Sequence, residues 1–191
     1  MRTIVWDVDD VLNDLMYCWF ERVWKPQHRE AEIDYMEITQ NPPHQVLGMS
    51  HTEYINSLDS LRLSEKAKMM KPNSLILEWL KEYGSTYRHL ALTARPLDSV
   101  PILADWLFKN FGGFIRTFTF VPIRLDPNFP NYDTSKKEFL QWLNKADIFI
   151  DDNEDNVNSA NSIGIRGILY PQPWNSCRQT PREILNWLAN Y

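Results

Sequence analysis

Short β-rich runs alternate with amphipathic helical patterns along most of this chain, and this alternation restricts the possible folds more than any other feature. Strands that alternate with helices form parallel βαβ units. The sequence therefore predicts an α/β fold with a doubly wound, Rossmann-like sheet of five parallel strands, whose ligands bind at the carboxyl ends of the strands. The five runs, each of which stops at a polar residue or a proline, are 3–6, 89–92, 117–121, 148–150 and 167–170.

The helical patterns have apolar residues on one face and recognisable ends. The pattern over 75–83 is followed by Gly84, which we expect to end the helix in a left-handed conformation. The last helix has the clearest start, because Thr180 and Glu183 form a capping box around Pro181.

One stretch, from about residue 17 to residue 71, breaks the alternation. It has no clear strand, but it has amphipathic pieces rich in Trp, Tyr, Met and His. We predict that this cap segment (17–71) is a mostly helical insertion after the first strand, over a core formed by 1–16 and 72–191. The prolines of 122–133 predict an ordered loop rather than a domain boundary.

Acidic residues are unevenly distributed along the chain. The 20 Lys and Arg and 25 Asp and Glu residues give a net charge of -5, yet nine of the acids lie in two short stretches. Like charges at this density repel one another, so a bound cation is the natural compensation if the two stretches meet in space. The nine acids are Asp7, Asp9, Asp10, Asp14, Asp147, Asp151, Asp152, Glu154 and Asp155.

Composition excludes several classes of protein. The pI of about 5.4 and the lack of a basic run argue against binding to polymeric nucleic acid. No apolar run approaches the roughly 18 residues that cross a bilayer, and the N-terminus turns acidic where a signal peptide is apolar. Cys18 and Cys177 form no CxxC pair, which is typical of a reducing compartment. We expect a cytoplasmic monomer or homodimer.

Asp7 and Asp9 close the first β-rich run. Alternation along an extended chain points their carboxylates the same way, so the two can share one site. One carboxylate can attack phosphorus or an alkyl carbon, while the other protonates the leaving oxygen and later activates water. The alternative is that this pair forms an ordinary turn or helix cap.

Two later segments offer groups that bind phosphate. The Thr93 hydroxyl and the backbone N–H groups of Ala94 and Arg95 could hold a phosphoryl oxygen, with the Arg95 guanidinium close by. Lys136 begins a helix, where a cation is unfavourable unless it meets an anion. The alternatives are a strand-terminal threonine, a surface arginine and a solvated lysine, and Lys137 is a rival for the position of Lys136.

Two adjacent acids, Asp151 and Asp152, end the fourth β-rich run. With Asp155 and Asn156 about one helical turn later, they suit an octahedral oxygen site for Mg²⁺. The alternative explanation is that these acids begin a helix, where the helix dipole stabilises negative charge.

These four segments together resemble the motifs of the haloacid dehalogenase superfamily. The matching segments are IVWDVDD, LALTAR, TSKKEFL and DIFIDDNEDN, and the resemblance extends from Arg2 to about Tyr170. It implies a phosphohydrolase in which Asp7 is the nucleophile that forms an aspartyl-phosphate and Asp9 is the general acid and base. Thr93 and Lys136 would then hold the phosphate.

The resemblance also implies a cofactor. Mg²⁺ would be bound by the Asp7 carboxylate, the backbone carbonyl of Asp9 and the Asp152 carboxylate. Asp151, together with Asn156, would act through water or by positioning the ligands. With an acid at position 9, the chain resembles the phosphatases of the superfamily rather than the members that cleave haloalkanoates, which lack an acid at this position of the motif.

A narrower resemblance, to the 5'(3')-deoxyribonucleotidases, implies a nucleoside monophosphate as the substrate. Aromatic residues of the cap segment are candidates for stacking on the base, although core packing explains them equally well. Two alternatives stay open: a phosphatase for another small phosphomonoester such as a sugar phosphate, and a non-catalytic binding module. The aromatic candidates are Trp19, Phe20, Trp24, Tyr35 and Tyr54.

Overall fold

A computed structural model describes residues 1–124, 127–128, 130 and 132–191 of the chain. Its strands are β1 (Thr3–Trp6), β2 (Arg88–Arg95), β3 (Ile115–Pro122), β4 (Ile148–Asp151) and β5 (Arg166–Leu169). Within the described residues, they form one parallel sheet in the order β3-β2-β1-β4-β5. The α/β fold with five parallel strands is therefore confirmed.

Helices connect these strands and cover both faces of the sheet. They are α1 (Leu15–Trp19), α2 (His51–Arg62), α3 (Glu65–Lys68), α4 (Ser74–Tyr83), α5 (Val100–Phe111), α6 (Lys136–Leu143), α7 (Glu154–Asn161) and α8 (Pro181–Asn190). The predicted capping box of α8 is present: the Thr180 side chain accepts from the backbone N–H of Glu183, and the Glu183 carboxylate accepts from that of Thr180. None of the described helices is long and apolar enough to cross a membrane.

The side chains of β1 alternate between two apolar layers. Val5 packs with Phe149 of β4 and Phe139 of α6 on one face. Ile4 and Trp6 pack on the other face, in the larger cluster that contains residues of α4, α5 and α8. Because successive strand residues point to opposite faces, burial of all four residues of β1 places this strand at the centre of the fold.

Gly84 does not end α4 in the predicted left-handed conformation. Its φ is −61°, and the chain continues into a 3₁₀ turn over Gly84–Thr86. A Cβ at this position would lie 3.2 Å from side-chain atoms of Leu80 and Phe114. Close packing, rather than a positive φ, therefore explains the glycine.

The order of the strands reverses beside β1, and this reversal indicates where a ligand site is expected. β1 is paired with β2 on one side and with β4 on the other, so Trp6 lies between Ala91 and Ile150. Sheets of this type bind ligands where the strand order reverses, at the carboxyl ends of the strands. The residues after β1 and β4 therefore lie side by side at the expected position.

The sequence predicted that β2 stops at Thr93, but Thr93 lies within the strand. β3 extends the pairing, since Thr93, Ala94 and Arg95 are paired with residues 120–122. β1 already ends at Trp6, opposite Ala91. Thr93 consequently extends beyond the carboxyl end of β1, towards the residues that follow that strand.

The chain between β1 and α4 is predominantly helical where it has regular structure, containing α1, α2, α3 and short 3₁₀ and π turns. An isolated bridge between Asn13 and Pro72 and a hydrogen bond from the Asn73 N–H to the Leu12 carbonyl (2.8 Å) join its two ends. The division into core and cap segment stays a prediction. Residues 125, 126, 129 and 131 of the predicted ordered loop lie outside the described residues.

Candidate active site

The two acidic stretches of the sequence meet where β1 and β4 end. Asp7 follows β1, while Asp151 is the last residue of β4 and Asp152 follows it. One carboxylate oxygen from each of these residues lies within 4.8 Å of the others, and all three residues are buried. Negative charge is therefore concentrated at the point where the strand order reverses.

Six of the nine acids do not belong to this cluster. Asp9 and Asp10 line the cavity beside it, and the other four lie elsewhere. Asp147 lies at the other end of β4, where its carboxylate accepts the Thr3 N–H (2.7 Å). Asp14, Glu154 and Asp155 are exposed to solvent. The sequence predicted that Asp155 would contribute to the cation site. Its side chain instead points to solvent from the first turn of α7.

Lys136 lies between two of the clustered acids. Its Nζ is 2.7 Å from Asp7 Oδ1 and 2.7 Å from Asp151 Oδ2. Burial alone lowers the pKa of Lys136, but the carboxylates of Asp151 and Asp7 outweigh this effect and raise it above its ordinary value. Lys137 is half-buried and forms no ion pair with any residue that the structure describes. The geometry thus favours Lys136 over its rival.

Asp7 is buried, and its environment opposes ionisation. Burial, together with repulsion from Asp151 and Asp152, outweighs the attraction of Lys136 and raises the pKa of Asp7 well above its ordinary value. The Asp7 Oδ1 also accepts the Val8 N–H (2.8 Å), which fixes the orientation of the carboxylate. The ionised, nucleophilic form of Asp7 therefore requires more positive charge than Lys136 supplies.

Asp9 has the opposite environment. The Arg95 Nε and Nη2 donate to its two carboxylate oxygens at 2.8 and 2.7 Å, and Asn13 Nδ2 donates at 3.1 Å. Burial raises the pKa of Asp9, but Arg95 more than offsets this and lowers it to about 2. Asp9 is therefore ionised at neutral pH, which suits a general base.

Arg95 does not occupy the position that the sequence predicted for it. The residue is 0% exposed, and its Nε and Nη2 donors are directed at Asp9 rather than at the cavity where a phosphate would lie. Arg95 is the last residue of β2, which extends beyond the end of β1 towards the residues that follow that strand. Arg95 therefore holds the predicted acid-base residue, and its predicted contact with substrate phosphate is not supported.

A loop after β5 holds Asp152. The Trp174 Nε1 donates to Asp152 Oδ2 (2.9 Å), and Asn175 Nδ2 donates to the Asp152 carbonyl (2.8 Å). Burial and the neighbouring Asp151 raise the pKa of Asp152 to about 7. Neither partner is predictable from the sequence, because nothing in the local pattern at 171–176 indicates contact with an acid about 20 residues earlier.

Asp10 is a further acid of the site, to which the sequence motifs assigned no role. Its φ is +61°, a left-handed conformation that Asp tolerates because its short side chain can form hydrogen bonds with nearby backbone. Here the Asp10 Oδ1 accepts a hydrogen bond from the Met16 N–H (2.8 Å). Burial and the charge of Asp152 raise its pKa well above the ordinary value. The only sequence signal was its place in the segment DVDD.

The donor set fits Mg²⁺. Mg²⁺ prefers carboxylate and carbonyl oxygens, and a divalent cation would offset the repulsion that raises the pKa values of Asp7 and Asp152. Asp151 is already engaged by Lys136 and by Asn156, whose Nδ2 lies 3.2 Å from both its oxygens. Asp7 and Asp152 are thus the carboxylates best placed to contact the cation, while Asp151 and Asn156 support them.

A cavity of about 110 Å³ lies against this cluster. Thr93 and Ala94 of β2 form part of its wall, beside Lys136 and Asp152. Arg62, at the end of α2, also reaches the cavity, although no sequence pattern pointed to it. The residues that the cap segment contributes to the wall are Asn41, Tyr54, Leu58 and Arg62.

Of the five aromatic candidates for base stacking, Tyr54 lines the cavity. Trp19 and Phe20 are 0% exposed and lie in the core, as does Trp24, whose ring stacks on Phe20 at 5.2 Å. Tyr35 packs edge-on against Tyr17 with ring centroids 5.1 Å apart. Core packing therefore explains Trp19, Phe20 and Trp24.

Comparisons of the sequence with protein-family profiles and with curated proteins give no match. Solved structures do match. A haloacid dehalogenase-like family hydrolase from Streptococcus pneumoniae superposes with a TM-score of 0.61 at 18% identity, covering 98% of this chain and 90% of that one. The chain has the haloacid dehalogenase-like fold.

Two further structures agree with this fold. The HAD hydrolase YfnB from Bacillus subtilis, solved with bound magnesium, gives a TM-score of 0.61 at 12% identity and covers 100% of this chain and 99% of that one. A HAD-superfamily hydrolase from Geobacter sulfurreducens gives 0.53 at 15% identity, covering 98% and 96%. Identities this low establish the fold alone, so the activity has to be argued from the site.

Proposed function

We propose that this chain is a Mg²⁺-dependent phosphomonoester hydrolase of the haloacid dehalogenase superfamily that acts through an aspartyl-phosphate. One observation supports this above the others: Asp7, buried just after β1, bonds to Lys136, lies beside Asp151 and Asp152, and lines the same cavity as Thr93. A carboxylate nucleophile, a cation and a hydroxyl on one small cavity are the groups that phosphoryl transfer to an aspartate requires.

In the first step, an Asp7 oxygen attacks phosphorus and the bond to the leaving oxygen breaks, while Asp9 gives that oxygen a proton. In the second step, Asp9 takes a proton from water as the water oxygen attacks phosphorus. The bond from Asp7 to phosphorus then breaks and releases inorganic phosphate. Because Arg95 holds the pKa of Asp9 at about 2, this contact has to weaken when Asp9 is protonated for the first step.

Positive charge around the phosphoryl group comes from this chain and from the cofactor. Lys136 and the Thr93 hydroxyl bind phosphoryl oxygens in this proposal. Mg²⁺, held by the carboxylates of Asp7 and Asp152 with the Asp9 carbonyl, supplies the charge that offsets repulsion between the carboxylate nucleophile and the phosphate.

For the substrate, we propose a nucleoside monophosphate, as in the 5'(3')-deoxyribonucleotidases. The motif resemblance and the presence of Tyr54 in the cavity wall support this choice. A smaller phosphomonoester, such as a sugar phosphate, is the second candidate. The cavity favours it, because about 110 Å³ is below the roughly 300 Å³ at which ligand pockets begin, so a nucleotide requires the cap segment to move.

Phosphate release across a substrate panel tests both the activity and the substrate. The panel contains deoxy- and ribonucleoside monophosphates, sugar phosphates and an aryl phosphate, each with Mg²⁺ and with Mg²⁺ plus chelator. We expect chelator-sensitive turnover concentrated on the nucleoside monophosphates. Turnover confined to sugar or aryl phosphates would exclude the nucleotidase, and no turnover on any substrate would contradict the hydrolase.

Trp174→Phe tests the support of the metal ligand. The substitution keeps an aromatic ring but removes the N–H that donates to Asp152. Since groups that orient a metal ligand typically contribute about 10- to 100-fold to affinity, we expect the dissociation constant for Mg²⁺ to rise by that factor in a calorimetric titration. Trp187→Phe, on α8 away from the site, is the matched control. Equal Mg²⁺ affinity in both variants would show that the Trp174 contact has no role in binding.

Removal of the cation should make stability depend on pH. The pKa of Asp152 is about 7 in the folded chain against an ordinary value of 3.8, so unfolding between these values releases a proton. The free energy of unfolding of the metal-free protein should therefore fall as the pH rises from about 4 to 7, by up to about 1.4 kcal/mol per pH unit for each such proton. Urea denaturation with chelator and with saturating Mg²⁺ measures this. A slope that Mg²⁺ does not reduce would argue against a cation at Asp152.

A further inference from the structure

The cations near the cavity differ in how many of their donors are already occupied. Lys136 bonds to Asp7 and Asp151, and the Nε and Nη2 of Arg95 bond to Asp9. Arg62 lines the cavity as Lys136 does, but only its Nη1 is hydrogen-bonded, and its buried Nε has no hydrogen-bond partner among the described residues. An anionic ligand in the cavity can therefore gain new bonds from Arg62 without displacing an existing one.

The surroundings of Arg62 show which donors these are. The residue is 8% exposed, and its Nη1 donates to Asp59 Oδ1 at 3.1 Å. Its Nη2 lies 3.7 Å from Asp9 Oδ2, too far for a hydrogen bond. Its Nε is buried and has no hydrogen-bond partner in the described part of the chain. A buried N–H of a charged group without an acceptor is costly, so a ligand oxygen that comes within reach of the guanidinium would relieve that cost.

We propose that Arg62 is a substrate-binding residue contributed by the cap segment, and that its Nε and Nη2 bind oxygens of the phosphoryl group. The proposal rests on the phosphohydrolase function above. The planar guanidinium matches two phosphate oxygens at once, and the cavity is small enough that an anion beside Thr93 and Lys136 lies close to Arg62. Phosphate would then be held from both sides, by the sheet and by α2.

Asp59 gives Arg62 a fixed direction. Its carboxylate accepts from Arg62 through one oxygen and from Arg124, just after β3, through the other. The series Arg62, Asp59 and Arg124 therefore joins α2 to the strand layer. Arg124 is 57% exposed at its side chain, and an exposed ion pair contributes little energy. Removal of the Arg124 side chain should therefore leave the Arg62 donors in place.

Binding of inorganic phosphate tests the proposal independently of turnover. Calorimetry with Mg²⁺ present compares the wild type with Arg62→Gln, Arg62→Lys and the matched control Arg124→Gln. We expect Arg62→Gln to weaken phosphate binding at least about tenfold, as for loss of hydrogen bonds from a charged group. Arg62→Lys should be intermediate, because lysine retains charge but lacks the fork, and Arg124→Gln should stay within about twofold. KM for the best substrate should rise in parallel, with a smaller change in kcat.

The outcomes separate this proposal from the proposed function. Turnover by the wild type with unchanged phosphate affinity in Arg62→Gln and Arg62→Lys would overturn the role of Arg62 and leave the hydrolase intact. A wild type that neither binds phosphate nor hydrolyses any substrate would overturn the function itself. A raised KM with normal phosphate affinity would place Arg62 on the leaving group and contradict the phosphoryl contact. Far-ultraviolet circular dichroism of each variant identifies any loss of fold, and Arg62→Lys is the conservative variant for that case.

Discussion

Asp7→Asn is expected to abolish Mg²⁺-dependent phosphate release, with a loss of roughly 10⁴-fold or more, the scale on which removal of a catalytic nucleophile acts. An amide does not form the acyl-phosphate that the proposed mechanism needs. The change is nearly isosteric, and the amide oxygen can still accept from Lys136 and from the Val8 N–H. The loss should therefore appear in kcat in a protein that remains folded.

The same substitution should raise the thermal stability of the metal-free protein. Burial and the charges of Asp151 and Asp152 raise the pKa of Asp7, so its carboxylate is unfavourable in the folded chain at neutral pH. A neutral amide removes this repulsion, and Lys136 keeps Asp151 as its carboxylate partner, so no buried charge loses its last partner. Thermal unfolding with chelator and with Mg²⁺ measures both effects, and Asp155→Asn, an exposed acid outside the cluster, is the matched control. Retained turnover in Asp7→Asn would move the nucleophile to another residue, and a lower Tm without metal would contradict the charge argument.

Lys136→Met is expected to lose both activity and stability. The ammonium bonds to Asp7 and Asp151 at 2.7 Å, and loss of one partner from a buried ion pair costs about 3–5 kcal/mol because the remaining charge stays buried. Methionine keeps most of the apolar stem, so the change isolates the charge. Removal of a positive charge beside the transferring phosphoryl group should also reduce kcat by about 10²-fold or more.

Lys137→Met is the matched control, since it removes the same charge from the adjacent residue of α6. Lys137 is half-buried and lies outside the cavity wall, so we expect a change within about 0.5 kcal/mol in stability and normal turnover. Urea denaturation and steady-state kinetics on both variants decide the question. If the change at 137 alone reduced activity, the assignment of Lys136 would be wrong.

Secondary structure was largely predictable because its signals are local. The residues of β1 and the capping box of α8 agree with the prediction, since side-chain alternation and cap chemistry depend on neighbours a few residues apart. β2 is longer than predicted because β3 supplies partners as far as Arg95. Gly84 was misjudged for a similar reason: the packing of Phe114, 30 residues away, explains it better than a turn.

Within the site, the sequence indicated which groups would be present more reliably than which groups would be paired. Asp7, Asp152, Thr93 and Lys136 all line one cavity, because the carboxyl ends of the central strands and the start of α6 meet at one edge of the parallel sheet, although Thr93 lies within β2 and not at its end. The aromatic residues of the cap segment were ambiguous, because stacking on a ligand and packing in a core require the same side chains. Burial assigns Trp19 and Phe20 to the core.

The sequence alone determined the order of strands and helices and the positions of the acids, because each depends on short-range periodicity and on where a strand must stop. Only the tertiary structure decided the state of each charge. Asp9 is ionised because Arg95, 86 residues later, binds it, and Asp152 is oriented by Trp174, 22 residues later. Local sequence patterns do not reveal contacts between residues this far apart in the chain. A charge becomes buried and acquires its partner only when separate segments pack together.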